Sequence, residues 1–182
     1  MVSFTLFDTA IGPCALAWSE RGIAGVHLPE TSEEETCARV CERFPDAREA
    51  KPGAGIRRAR DAITYVLSGT ARDFASIDLD MESVPRFHRR VYAAAQKIPF
   101  GTTTSYGSLA ESIGAAGAAR AVGQALARNP FPIIVPCHRV VAAGGRIGGF
   151  SATGGISLKL KLLAKERGGD VVQPSGCSTL SH

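Results

Sequence analysis

The sequence predicts a mixed α/β (α+β) chain, with a small N-terminal α/β domain on an antiparallel sheet and a mostly helical C-terminal domain containing a helix-turn-helix. Three observations carry that prediction. Short, partly alternating apolar runs split by turn residues fill the N-terminal end, and apolar spacings of three and four take over beyond Val84. The charge also reverses: residues 1–83 hold nine Lys and Arg against fourteen Asp and Glu, net −5, and residues 84–182 hold twelve against three, net +9. The expected organisation is therefore 1–83, then 84–169, then a polar tail, 170–182, without fixed structure.

Each element has its own signal. FTLFDT, CALAWS and IAGVHL, separated by IGP and SERG, read as an antiparallel meander. Ser32 with Glu35 is a capping-box pattern opening a helix through about Arg43. FPDAREAKPGAG reads as a loop, IRRARDAITYVLSG as an amphipathic helix closed by Gly69, and FASIDLDM as one more strand. Pro85 then starts a helix on which Phe87, Val91, Ala94, Ala95 and Ile98 recur at helical spacing, with PFG as its end. SYGSLAESIG follows, with Ser105 as N-cap and Gly114 as C-cap. AARAVGQALARNP is halted by Asn129 and Pro130, and these last two helices with their short glycine-containing link outline the helix-turn-helix. FPIIVP reads as a buried strand, AAGG and RIGGFSATGG as glycine-rich loops. ISLKLKLLAKERG reads as a final helix with Ile156, Leu160 and Leu163 on one stripe, and with Lys159, Lys161 and Lys165 on a solvated face. Glu166 projects from the apolar side of that helix, where a carboxylate needs a partner.

The chain has 182 residues, and its start, MVSFTLFDTA, lacks the basic and long apolar regions of a signal peptide. No apolar run approaches the roughly 20 residues that cross a bilayer, so a cytoplasmic protein with no membrane partner is expected. Five cysteines at irregular spacing read as reduced thiols. Cys37 and Cys41, one helical turn apart, are expected to face the core; neither they nor Cys14 and His27 are given a metal, and Cys177 is a bystander. A basic half beside an acidic one suggests a polyanion partner. On the third helix of that half Arg120, Gln124 and Arg128 recur every four residues among Ala and Gly, a row suited to phosphates.

One stretch combines core and chemistry. In FPIIVPCHRVV, apolar residues surround Cys137, His138 and Arg139. A thiolate, not a thiol, is the nucleophile, and the apolar neighbours Ile133 to Pro136 disfavour its ionisation by desolvation. A basic partner for the thiol is therefore required. Arg139 reads as a salt-bridge anchor for the turn.

VPCHRVV resembles the active-site motif of the O(6)-alkylguanine-DNA alkyltransferases, the methylated-DNA–protein-cysteine methyltransferases. IPFGTTTSYGSLA, AARAVGQALARNPFPIIVPCHRVV, the GG-F-S loop and KLLAKERG extend the resemblance from about Phe87 to Gly168. It implies direct, irreversible transfer of an alkyl group from O(6)-alkylguanine, and in some cases O(4)-alkylthymine, to Cys137, once per molecule and with no cofactor. The resemblance further implies that His138 relays the thiol proton through a water, Glu166 orients His138, and Asn129 braces the cysteine turn. Tyr106 would help rotate the nucleotide outward, Arg120 would fill the gap in the stack, and Gly123, Gln124 and His88 would lie against the DNA. Pro132, Ile134 and Ser151 would receive the flipped ring. The partner implied is double-stranded DNA bound by a monomer. Two other classes share parts of the pattern: alkyltransferase-like lesion sensors, which lack the motif cysteine that this chain keeps, and cysteine hydrolases, whose oxyanion-hole signature is not evident here.

Overall fold

A computed structural model describes residues 1–168; the tail 170–182, with Cys177, lies outside the described residues. Strands β1 (Ser3–Thr9), β2 (Gly12–Ser19) and β3 (Gly22–His27) form the expected antiparallel meander. Helix α1 (Glu33–Arg43) starts at Ser32, whose hydroxyl accepts from Glu35 N–H at 3.2 Å. The Glu35 carboxylate reaches Thr31 rather than Ser32, so only half of the capping box forms. Within the segment read as a loop, β4 (Arg48–Glu49) pairs parallel with β1 and completes a sheet of order β3-β2-β1-β4. Two polar exposed residues carry no periodic signal; their pairing depends on β1 being alongside.

The centre of β2, Cys14 to Ala17, is buried on both faces. Ala15 and Ala17 join Phe4 and Val40 of α1, while Cys14 and Leu16 point into the main core, the period-two alternation of a covered strand. Thr36 and Val40 set the buried face of α1, and this leaves Cys37 at its edge and Cys41 exposed, against the expectation that both face the core. Helix α2 (Ala54–Leu67) contributes Ala59, Ile63, Val66 and Leu67 to the main core.

FASIDLDM is not a strand. Only Leu79 bridges to Ile23, flanked by hydrogen bonds from Ile23 N–H to Asp78 O (2.8 Å) and from Asp80 N–H to Ile23 O (2.7 Å). Asp80 spends its carboxylate on Ser19 and Arg21 instead of extending the edge. Gly22, at φ 127°, allows this approach, because a Cβ there would meet Asp78 O at 2.4 Å.

Helix α3 (Arg86–Ala95) ends before the expected PFG, since Ile98 precedes Pro99 and is disfavoured in helical geometry. A short strand β5 (Thr104–Ser105) leads into α4 (Tyr106–Ser112), capped by the Ser105 hydroxyl accepting from Ser108 N–H at 3.0 Å. Helix α5 (Ala119–Ala127) follows, with Val122, Ala125 and Leu126 buried and Arg120, Gln124 and Arg128 exposed. Strand β6 (Val140–Val141) pairs parallel with β5, and α6 (Gly155–Glu166) closes the described chain. One continuous buried cluster runs from Cys14 on β2 to Leu162 on α6. No helix among the described residues is long and apolar enough to cross a membrane.

Candidate active site

Residues 131–136 form a tight turn, not the expected strand. Val135 N–H donates to Phe131 O (2.8 Å) and Cys137 N–H to Val135 O (2.8 Å). Ile133 sits at φ 74°, a left-handed conformation that a β-branched residue adopts only when its surroundings impose it. Asn129, just beyond α5, imposes it: Nδ2 donates to Val135 O (2.9 Å) while Oδ1 accepts from Phe131 N–H (2.9 Å). Burial of an apolar run is legible in its composition, whereas its folding back is not; only the resemblance implies that Asn129 braces the cysteine turn.

The turn delivers Cys137, His138 and Arg139 as a single 3₁₀ turn against α6. His138 Nε2 lies 2.7 Å from Glu166 Oε1. Arg139 donates from Nε to both carboxylate oxygens (3.1 and 2.9 Å), from Nη2 to Oε1 (2.9 Å) and from Nη1 to Ile98 O (2.8 Å), so it anchors the turn. Gly101 N–H adds a further donor to Glu166 Oε2 at 3.0 Å. Gly101 has φ 75°, and a Cβ on it would lie 3.2 Å from Glu166 O, so this loop closes on the end of α6 only with glycine.

These contacts set the ionisation states. Burial alone would raise the Glu166 carboxyl, but hydrogen bonds from His138 and Arg139 outweigh it and hold it at about 2. Burial pushes His138 below its ordinary value, and the Glu166 hydrogen bond offsets only part of that. The imidazole is then neutral near pH 7, with Nε2–H donating to the carboxylate and a lone pair on Nδ1, which is buried without a protein partner. Cys137 is 8% exposed. Burial pushes its thiol up, while a hydrogen bond with Asn129, the positive charge of Lys159 and the N–H groups of Cys137 and His138 pull it back. The resting group is a thiol, and loss of its proton to a base is what a nucleophilic role would require.

Lys159 departs from expectation. It is fully buried, with Nζ donating to Val140 O at 2.7 Å and lying 5.8 Å from the Tyr106 ring centre, whereas its two neighbours in the run, Lys161 and Lys165, are exposed and half-buried. Burial lowers its pKa and the nearby Cys137 raises it. The whole helix is rotated from the expected stripe: Lys159, Leu162, Leu163 and Glu166 face inward, and Ile156 and Leu160 are 50% and 48% exposed. A signal existed in the spacing. Lys159 lies two turns before Glu166 on the same face, so the rotation that buries one buries the other.

Two cavities meet at Cys137. One, about 800 Å³, is lined by Tyr106 of α4, by Arg120, Gly123 and Gln124 of α5, and by Phe150 and Ser151. The other, about 470 Å³, lies between α1, the end of α5 and the Phe150–Thr153 loop, and includes Asn129 and Pro132. The structure thus gathers Cys137, Tyr106, Arg120, Gly123, Gln124, Asn129, Pro132 and Ser151 around the sulfur, with His138 and Glu166 beneath it. Ile134 does not join them: it is 1% exposed and lines a separate cavity together with Ile133, Pro136 and Arg139, because the turn points it behind the cysteine. His88 lies on α3 beside Tyr92, with Arg128 near enough to add to the lowering of its pKa by burial, and lines neither cavity at the thiol. Among the described residues no group of three or more His, Cys, Asp or Glu is placed to hold a metal.

Comparison with known proteins matches residues 86–168 to the family model for the 6-O-methylguanine DNA methyltransferase DNA-binding domain. A methylated-DNA–protein-cysteine methyltransferase of Mycobacterium leprae is 50% identical over 168 residues, covering 92% of this chain and 93% of that protein. The Mycobacterium tuberculosis protein of the same name is 38% identical over 167 residues, with the same coverage. The crystal structure of Mycobacterium tuberculosis OGT in complex with DNA matches with a TM-score of 0.74 at 36% identity, covering 91% of this chain and 93% of that one.

Proposed function

The chain belongs to the methylated-DNA–protein-cysteine methyltransferase family, and from that membership we propose how its cleft works, with Cys137 as the alkyl acceptor. It is a DNA repair protein that moves an alkyl group from DNA to a cysteine. The observation that carries the assignment to Cys137 is the His138–Glu166 pair beneath a buried thiol at the meeting of two cavities.

Glu166, ionised and held by Arg139, keeps the proton of His138 on Nε2. His138 Nδ1, through a bridging water, removes the Cys137 proton as the sulfur attacks the alkyl carbon on guanine O6. The S–C bond forms, the C–O bond breaks, and its electron pair returns to the guanine, which gains one proton at N1. No group among the described residues is placed to take the alkyl group off the thioether again, so each molecule acts once. Lys159 supplies fixed positive charge near the developing thiolate.

The substrate carbon lies inside a duplex, so the nucleotide swings out into the cavity beside α5, at an unstacking cost of a few kcal/mol. Tyr106 crowds its phosphate; its ring lies beside Gly123 of α5, and its hydroxyl end lies so close to Gly148 that a Cβ there would stand 3.0 Å from it. Arg120, exposed at the start of α5, fills the vacated space, with Gln124 and His88 along the DNA. Phe150 and Ser151, which line both cavities, receive the ring, with Pro132 beside them in the second cavity, and Ile134 supports the turn from behind. The protein acts as a monomer in the cytoplasm, at the nucleoid when DNA-bound, and O(4)-alkylthymine is a secondary substrate.

The deciding experiment is incubation with a duplex containing O6-methylguanine, followed by mass analysis of the peptide containing Cys137. One methyl group, stoichiometric and permanent, is expected there. Lesion binding with an unmodified peptide would mark a sensor, and turnover of esters or peptides a hydrolase; either would overturn the assignment. Arg120→Ala is expected to slow transfer from duplex DNA by about 10-fold or more and to leave reaction with free O6-alkylguanine base unchanged. Equal loss with both substrates would remove Arg120 from the stack-filling role.

A further inference from the structure

The loop between β6 and α6 carries Phe150 and Ser151, which line both cavities at Cys137. Little in the loop itself holds them. Gly148, Gly149, Gly154 and Gly155 border the segment and bring no side chains that could anchor it. Its backbone is tied locally, by Gly155 N–H donating to Ala152 O at 2.9 Å. Among the described residues, one hydrogen bond connects residues 147–153 to a distant element: the Thr153 hydroxyl donates to the Glu30 carboxylate, 123 positions away in the chain.

Glu30 is itself held from two sides. Its N–H donates to Thr36 Oγ1 at 3.1 Å, and Thr36 is fully buried, its hydroxyl donating in turn to Ser32 O at 3.0 Å. Its carboxylate is only 17% exposed; Oε1 accepts from Arg39 Nε at 3.1 Å, and Arg39 is steadied by Glu42 at 2.8 Å. The oxygen that Arg39 leaves free, Oε2, is the one that meets Thr153. The opposite wall of the cleft has a backbone tie instead, Val26 N–H donating to Pro130 O at 2.9 Å beside Asn129. A hydrogen bond to an ionised acceptor is stronger than a neutral one, and an acceptor already ordered loses little entropy in making it. Reacting atoms displaced by about 1 Å can lose about 10²-fold in rate, so what fixes this loop bears on the chemical step. We propose that Glu30 is a positioning residue for transfer, acting through Thr153 to hold Phe150 and Ser151 where the extruded base must sit beside Cys137. The N-terminal sheet and α1 thereby enter the reaction without supplying a reacting group.

The proposal rests on the transfer reading above, and its test uses the full chain. Thr153→Val removes the hydroxyl at nearly constant shape, Thr153→Ser keeps it, and Glu30→Ala removes the acceptor. Thr153→Val and Glu30→Ala are each expected to lower the limiting single-turnover rate on a duplex carrying O6-methylguanine by about 5- to 10-fold. Affinity for that duplex is expected to change by less than about twofold. Reaction with free O6-methylguanine base should slow by a similar factor, because the free base occupies the same place; Arg120→Ala is expected to spare that reaction. Thr153→Ser should react within about twofold of the wild type, and the Glu30→Ala, Thr153→Val double variant should be no slower than the slower single one, since both remove one contact. Limiting rates of the single variants at the wild-type level, losses that multiply in the double variant, a loss confined to duplex affinity, or Thr153→Ser as slow as Thr153→Val would each overturn the positioning role. Absence of transfer by the wild type would instead overturn the assignment of Cys137, so the two failures are distinguishable.

Discussion

Cys137→Ala is expected to bind a duplex carrying O6-methylguanine within about twofold of the wild type and to transfer nothing from it. The expectation is strict because no other thiol in the described chain is equipped to substitute. Cys14 is fully buried on β2, and desolvation pushes it up to about 12. Cys37 is likewise pushed up by desolvation, and then by its neighbour Cys41, and both lie on α1, outside the lining of either cavity at Cys137. Binding survives because the residues proposed to touch DNA, Tyr106, Arg120, Gly123 and Gln124, are positioned by α4 and α5 rather than by the sulfur. Truncating a buried thiol to a methyl leaves a small void worth on the order of 1 kcal/mol, too little to unfold the chain. Binding by titration and transfer by peptide mass on the same preparation separate the two quantities. A methyl group found on any other cysteine of the variant would overturn the site.

Glu166→Gln is expected to damage both catalysis and stability. The amide keeps the shape of the side chain but removes the charge that holds His138 and Arg139. Arg139, 7% exposed, would then be a buried cation with no anionic partner, and breaking such a pair costs about 3–5 kcal/mol. The ionisation gives a consistent figure: a carboxyl held at about 2 against an ordinary 4.5 corresponds to about 3 kcal/mol of stabilisation. Its pH dependence follows. As the pH falls the unfolded chain takes up the Glu166 proton first, so the stabilisation is complete above about 4.5 and disappears as the pH drops towards 2. His138, depressed from 6.5 by burial, adds a loss that starts below that pH. On the alkaline side Cys14 and Cys137, both raised by burial, ionise in the unfolded chain first, and stability declines above 9. Urea midpoints measured across pH should therefore show a plateau from about 6.5 to 9, and the variant should lose the part of the acid slope between 4.5 and 2. Single-turnover transfer should fall by about 10²-fold or more, since nothing then fixes the His138 tautomer. An unchanged acid slope, or transfer at the wild-type rate, would contradict the role given to Glu166.

The two predictions differ in how early they were legible. Cys137 and His138 stand side by side in a motif with strong resemblance; the place of Glu166 on an apolar helix face demands some partner, and the resemblance names His138. Lys159 is where pattern and structure part. In sequence it belongs to an alternating run with Lys161 and Lys165, and a lysine run normally means water. What buries it is the combined demand of Glu166 for His138 and Arg139 and of its own amine for Val140 O, which turns α6 until Ile156 and Leu160 face outward. Polar groups with specific partners won over an apolar stripe with none.

Neighbours a few positions apart settle the meander, the Ser32 and Ser105 caps and the succession of helices, and the family motif, not local spacing, ties Glu166 to Cys137 and His138 across 28 residues. It takes the tertiary structure to show that β4 joins the sheet, that 131–136 turns back with Ile133 at positive φ, that Ile134 points behind the cysteine, and that α1 lines a second cavity beside it. The reason is physical: periodicity and capping are properties of one segment, whereas the rotation of a helix, the folding of a buried turn and the walls of a cavity are fixed only when distant polar groups find the partners that burial requires.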